Sequence, residues 1–267
     1  MVEAMPQVMR ERGLGATDLA FMIDGAQDDV GRCSFMFLGG FKSDMTGKKA
    51  EAIGDLARAT RRQALRFDYS GHGQSSGAFT EGTISAWLEQ CVHMYLLHTR
   101  SKVVVIGSSM GGWLAQLLAQ RLRHEDPSAY RRLAGLVLLA PATDMTKVLM
   151  WEKYDENART ALRNDGIYLE PSAYGDPYEI TTTLLTDGEK HLLLDEGLDV
   201  NFPVRILQGT HDHEVPPPHA VKTFDALHGP DVTLTYIKSG DHRLSTPGHL
   251  RLICETALRL AERADGV

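Results

Sequence analysis

The sequence predicts an α/β fold: a mostly parallel central sheet flanked by helices, with one long insertion. Three observations lead there. Short apolar runs alternate with longer amphipathic stretches along almost the whole chain. Several of those runs are apolar on consecutive residues, as strands buried on both faces must be. One interval, Asp144 to Val200, breaks the alternation with 57 residues where a single helix would connect two strands.

The elements follow in order. LAFMI (19–23) reads as an extra strand, joined to SFMFL (34–38) by the turn-rich GAQDDVG. QALRF (63–67), VVVI (103–106), LVLLA (136–140), VRILQ (204–208) and VTLTYI (232–237) are the other strands. Helical patterns fill the gaps at 47–59, 83–98, 111–123, 217–228 and 247–263. In the third, Leu114, Leu117, Leu118 and Leu122 share one face. Such alternation implies a sheet covered on both sides. Residues 1–15 read as an N-terminal extension, 16–143 and 201–267 as the core, and 144–200 as a small helical cap. That interval is too long for a plain loop. It carries 13 acidic and 5 basic residues, a net −8 that leaves the rest of the chain near +1. Trp151, Tyr154, Tyr168, Tyr174 and Tyr178 lie in it. Its apolar residues Leu149, Met150, Trp151, Leu184 and Leu185 either line an acyl pocket or pack the cap onto the core.

Composition narrows the function. With 267 residues, 43% of them hydrophobic, the chain can bury a core without disulfides or metals. A net charge of −7 argues against nucleic acid as a partner. No apolar run approaches the ~18 residues a membrane span needs. Cys33, Cys91 and Cys254 are odd in number and scattered, which gives neither a disulfide framework nor a zinc pattern and suits a reducing compartment. The first fifteen residues lack the apolar stretch of a secretory signal, and Glu3 and Glu11 offset Arg10 and Arg12, so a transit peptide is poorly supported. Oligomeric state is not written in the sequence.

Two pentapeptides match G-x-S-x-G. Gly107-Ser108-Ser109-Met110-Gly111 directly follows VVVI and opens the Leu-faced helix, the strand–turn–helix setting of a nucleophile elbow. Gly73-Gln74-Ser75-Ser76-Gly77 lies beyond its strand and runs into AFTEGT, not into a helix. Ser109 is therefore the candidate nucleophile and Ser75 a loop residue. The bland alternative is a glycine-rich turn packing helix on sheet.

A serine hydroxyl needs an adjacent base. Partners of an elbow serine follow it in the order acid, then histidine, each on a loop after a later strand. VRILQ runs into Asp212 and VTLTYI into His242, each a few residues past a strand's C-terminal end, where ligand sites of open α/β sheets gather. Glu214 and Asp241 are local rivals of Asp212. His211, His213, Glu214 and His219 form a metal-type cluster in sequence only, so no metal is assigned. The oxyanion donors are the backbone N–H of Met110, after the nucleophile, and that of Phe41, in the loop Leu38-Gly39-Gly40-Phe41.

These segments resemble the α/β-hydrolase superfamily over nearly the whole chain: LGGF (38–41), RFDYSGHGQSSG (66–77), GSSMGGW (107–113), the G-x-x-D-x-x-V-P of 209–216, and GDHR (240–243). GGFKSDMTGKKA (39–50) and the arginine after His242 are similar to the family of abhydrolase domain-containing protein ten, a mitochondrial enzyme, and its bacterial relatives. That resemblance implies a serine hydrolase with Ser109, Asp212 and His242 as triad and no cofactor. It also implies an ester or thioester substrate, the family being described as removing palmitoyl groups from protein cysteines and cleaving acyl glucuronides. Many superfamily members carry His-Gly where this chain has Gly39-Gly40, and the family's own pattern lacks that histidine too. The cap has no diagnostic motif. Without a long transit segment, a cytoplasmic location is expected, with the mitochondrial matrix as alternative. An amidase, a peptidase, a carbon–carbon hydrolase and a non-catalytic receptor are the rival readings, because fold and triad alone do not choose.

Overall fold

The computed structural model describes residues 8–12, 17–25, 31–172 and 176–267. Most of the N-terminal extension, the turn at 26–30 and Tyr174 lie outside the described residues. An eight-stranded sheet dominates. Its strands are β1 (Met9–Arg12), β2 (Asp18–Gly25), β3 (Ser34–Leu38), β4 (Gln63–Phe67), β5 (Val103–Ser108), β6 (Leu133–Leu139), Val204–Gly209 and Val232–Ile237. They lie in the order β1, β2, β4, β3, β5, β6, Val204–Gly209, Val232–Ile237. β2 is antiparallel to both its neighbours, and every other pairing is parallel.

The strands' alternating side chains build two cores. Phe35 and Phe37 of β3, with Val104 and Ile106 of β5, face α1 (Lys48–Ala59) and the last helix, Pro247–Asp265. Met36, Leu38, Val103 and Val105 point the other way, toward α2 (Ile84–His98) and α3 (Met110–Glu125). Covered on both sides, β3 and β5 are buried at every residue, which is why their sequences show no alternation. Val232–Ile237 is an edge strand, and its Thr233 and Thr235 are exposed.

Two features differ from the sequence reading. The expected N-terminal extension supplies a sheet strand: β1 pairs with β2 from Met9↔Phe21 to Arg12↔Asp18. MRER hides this because an edge strand is held by backbone hydrogen bonds and needs no apolar run. The interval 144–200 is also not purely helical. It holds a wide π-type turn at Met145–Met150, a helix at Glu156–Asp165, an antiparallel hairpin of Ile167–Glu170 with Tyr178–Thr181, and a helix at Thr182–Gly188. The hairpin segments IYLE and YEIT are rich in β-branched and aromatic residues, and Gly166, at φ 74°, stops the helix before them.

The interval is tied down at several points. Asp144, itself left-handed and 2% exposed, accepts hydrogen bonds from the N–H groups of Leu193 (2.8 Å) and Leu194 (3.0 Å). Burial raises the pKa of its carboxyl. The N–H and hydroxyl of Ser85, at the start of α2, donate to Asp187 at 2.7 and 2.8 Å. Met150, Leu184 and Leu185 are buried in the core on the α2–α3 face, so these three pack the interval onto the core, while Trp151 is 37% exposed.

Candidate active site

Ser109 sits between the end of β5 and the first turn of α3, at φ 55° and ψ −119°. A non-glycine residue there is strained by roughly 1–3 kcal/mol, and the surroundings must hold it. They do so through backbone bonds: Ser109 N–H donates to Leu139 O (2.8 Å), and Ser109 O accepts from the N–H groups of Gly112 (2.8 Å) and Ala142 (3.0 Å). The flanking glycines are required by close approach. A Cβ on Gly107 would lie 2.2 Å from Gly111 O, and one on Gly111 would lie 2.2 Å from Leu38 O.

The structure brings Ser109, His242 and Asp212 together. Ser109 Oγ lies 3.1 Å from His242 Nε2, and His242 Nδ1 lies 2.9 Å from Asp212 Oδ2. The Asp212 side chain is fully buried and that of His242 is 14% exposed. A carboxylate in this place can accept from an Nδ1 proton, an arrangement that leaves the Nε2 lone pair facing the serine hydroxyl. Asp212 is held in turn. Its Oδ1 accepts from the N–H groups of Glu214 (3.0 Å) and Val215 (2.9 Å), and its Oδ2 from Gln208 Nε2 (3.1 Å).

Of the rivals, Glu214 also reaches the imidazole, and the others lie apart from it. Glu214 reaches within 3.6 Å of His242 Nε2, on the serine side of the ring, and its side chain is 42% exposed. Asp241 accepts from the N–H of Leu244 at 3.0 Å. Ser75 Oγ accepts from Ala20 N–H (2.8 Å) and donates to Asp68 O (2.6 Å), so the second pentapeptide fastens β2 to the loop after β4. His211 and His213 are exposed and His219 is buried. Among the described residues, no three His, Cys, Asp or Glu side chains gather as metal ligands would.

Phe41 and Met110 flank the serine. Met110 is the first residue of α3, where N–H groups have no partner within the helix and the dipole is positive. Gly40 brings the other loop close: a Cβ on it would lie 3.3 Å from Ser109 Cβ. The carbonyl of Gly40 accepts from the N–H (3.1 Å) and hydroxyl (2.7 Å) of Ser43. Across a trans peptide the Phe41 N–H therefore points the opposite way. The Phe41 ring packs edge-on against Phe79 (4.8 Å), Trp87 (6.0 Å) and Tyr178 of the hairpin (5.8 Å between centroids). Lys42 Nζ lies 3.6 Å from Glu179 of the same hairpin.

Sequence reasoning missed Gln208 beside Asp212. The available signal was a polar side chain after the apolar pair Ile206-Leu207, four residues before the acid.

A model of the Alpha/beta hydrolase family matches residues 39–251. The human protein named palmitoyl-protein thioesterase ABHD10, mitochondrial, is 28% identical over 223 residues, covering 83% of this chain and 70% of its own length. A crystal structure from Agrobacterium vitis S4 superposes with a TM-score of 0.89 at 37% identity, over 97% of this chain and 99% of that one. Alpha/beta hydrolase domain-containing protein 10 from mouse gives a TM-score of 0.82 at 25% identity, over 97% and 99%. The elbow-shaped turn at Ser109, the mostly parallel sheet and these matches agree: the chain belongs to the alpha/beta hydrolase family.

Proposed function

We propose that this protein is a serine hydrolase that cleaves carboxylic esters or thioesters, S-acyl thioesters among them, through an acyl-enzyme. One observation carries the reading: a strained serine 3.1 Å from an imidazole nitrogen whose other nitrogen is 2.9 Å from a buried carboxylate. His242 takes the proton of Ser109 as Oγ attacks the carbonyl carbon. Asp212 orients the ring and stabilises its charged form. The N–H groups of Phe41 and Met110 hold the oxyanion, each worth ~3 kcal/mol in such sites. His242 then protonates the leaving alcohol or thiol, and a water it activates releases the acid. The chemistry requires no cofactor.

Residues 144–200 act as a cap on a core made of 16–143 and 201–267. Contacts of Tyr178 and Glu179 with Phe41 and Lys42 support this. The thioester preference is supported by the names of the curated relatives, and their mitochondrial designation makes the matrix, alongside the cytoplasm, a proposed location. Among the described residues no helix is long and apolar enough to cross a membrane.

The test is a fluorophosphonate probe followed by a substrate series. The probe should label the native chain and not Ser109→Ala. Neutral p-nitrophenyl esters from acetyl to palmitoyl, with matching acyl thioesters, then define the acyl length. Labelling at another residue, or ester cleavage that survives Ser109→Ala, would refute the proposal. A steady fall in kcat/KM from acetyl onward would remove the long-chain thioesterase part.

A further inference from the structure

The loop carrying His242 leaves the edge strand Val232–Ile237 and turns sharply, with Ser239 at φ 60° and Leu244 at φ 46°. Its own neighbourhood ties most of it. Gly240 O accepts from His211 N–H (2.9 Å), Ser239 N–H donates to Thr210 Oγ1 (2.8 Å), and Leu244 N–H donates to Asp241 Oδ1 (3.0 Å). A further bond comes from a different element. Lys49 Nζ, in the first turn of α1, donates to the carbonyl of Arg243, the residue next to His242.

Two facts set this lysine apart. A cation in the first turn opposes the helix dipole, so local helix energetics do not select it. Its ammonium also stands among the charged groups of the site. Burial pushes its pKa down to about 8, against the pull of Asp241, with Arg243 lowering it further and Glu214 and Asp212 raising it. A half-buried cation placed against its helix dipole is held by its partners.

We infer that Lys49 is a positioning residue for His242: its hydrogen bond to the Arg243 carbonyl fixes the loop, and its charge sits beside the Asp212–His242 pair. This rests on the reading of His242 as the base. Lys49 does not touch the reacting atoms, so its effect passes through the imidazole's place.

The experiment compares Lys49→Met and Lys49→Arg with the native chain on one neutral p-nitrophenyl ester. Lys49→Met should lower kcat roughly ten- to hundredfold, the cost of a small misplacement of a catalytic group, with KM changed by less than about twofold. Lys49→Arg keeps the charge and a donor, and should restore most of kcat. Should Lys49→Met not accumulate as folded protein, Lys49→Gln gives the same comparison. The inference is overturned if the neutral variant keeps the native kcat, or if arginine restores nothing that the neutral residue loses. Ser109→Ala and His242→Ala run alongside. If both are inactive while the neutral Lys49 variant is native, this inference alone fails. If either retains full turnover, the underlying reading fails.

Discussion

Changing Asp212 to asparagine removes a charge and almost no volume, and the contacts of this side chain determine the outcome. All four come from donors: Glu214 and Val215 N–H on Oδ1, Gln208 Nε2 and His242 Nδ1 on Oδ2. An amide has one oxygen, so one pair loses its acceptor. If the amide oxygen stays on His242, its NH₂ group faces two buried backbone N–H groups, and each is left unsatisfied at ~1–3 kcal/mol. If the oxygen stays on the backbone pair, only the Gln208 bond is lost outright, because the imidazole can adapt by accepting at Nδ1. The second arrangement is the cheaper one. It moves the imidazole proton to Nε2, where it points at Ser109 Oγ and leaves no base. Such a carboxylate-to-amide change lowers kcat by on the order of 10⁴ in a serine triad, about 5 kcal/mol of barrier. The assay is kcat on a neutral p-nitrophenyl ester, with a denaturant titration to show that Asp212→Asn folds with a loss of ~1–3 kcal/mol. A variant keeping more than roughly a tenth of native kcat would refute the reasoning, since the tautomer argument allows no such remainder.

Other expectations concern the decoy serine and the buried histidines. Ser75→Ala should keep kcat but lose ~1–3 kcal/mol in a denaturant titration, because Ala20 N–H loses its acceptor; an inactive but fully stable variant would reverse the roles of the two pentapeptides. His72 and His219, 3% and 4% exposed, are each pushed down to about 4 by burial, from an ordinary 6.5. A folded value below the unfolded one means stability is complete above about pH 6.5 and falls as pH drops toward 4, by up to roughly 3 kcal/mol per histidine. His219→Gln should flatten that slope, and unfolding midpoints that do not change between about pH 7 and pH 4.5 would contradict it.

Much of the sheet was legible because its strands are local signals. β3 and β5 announce themselves by unbroken apolar runs, and α3 by its leucine stripe. That Ser109, Asp212 and His242 would meet was readable for a related reason: each lies just past the C-terminal end of a strand, and parallel strands deliver such positions to one edge. The rest depends on contacts with no local trace. β1 is a strand because β2 offers it backbone partners, not because MRER prefers to be one. Ser75 is set aside by sequence because no helix follows it, but the partners of its hydroxyl, Ala20 N–H and the Asp68 carbonyl, leave no local signal. Lys49 lies 193 residues before His242, and only the fold makes it a neighbour of the Arg243 carbonyl.

The two backbone bonds on Asp144 have a consequence for how this architecture can change. The chain departs from the core at Asp144 and is fastened to that same carboxylate again at Leu193 and Leu194. Everything between is a detour with a common doorway. The sheet meets the detour at its root, so its length matters little there: doubling a closed loop costs only about 0.6 kcal/mol in entropy. A chain built this way can change the length of the excursion while β6 and Val204–Gly209 keep their pairing. In such a change, the requirements are a buried acceptor at the doorway with two N–H groups returning to it, a partner for Ser85 in place of Asp187, and apolar side chains in place of Met150, Leu184 and Leu185.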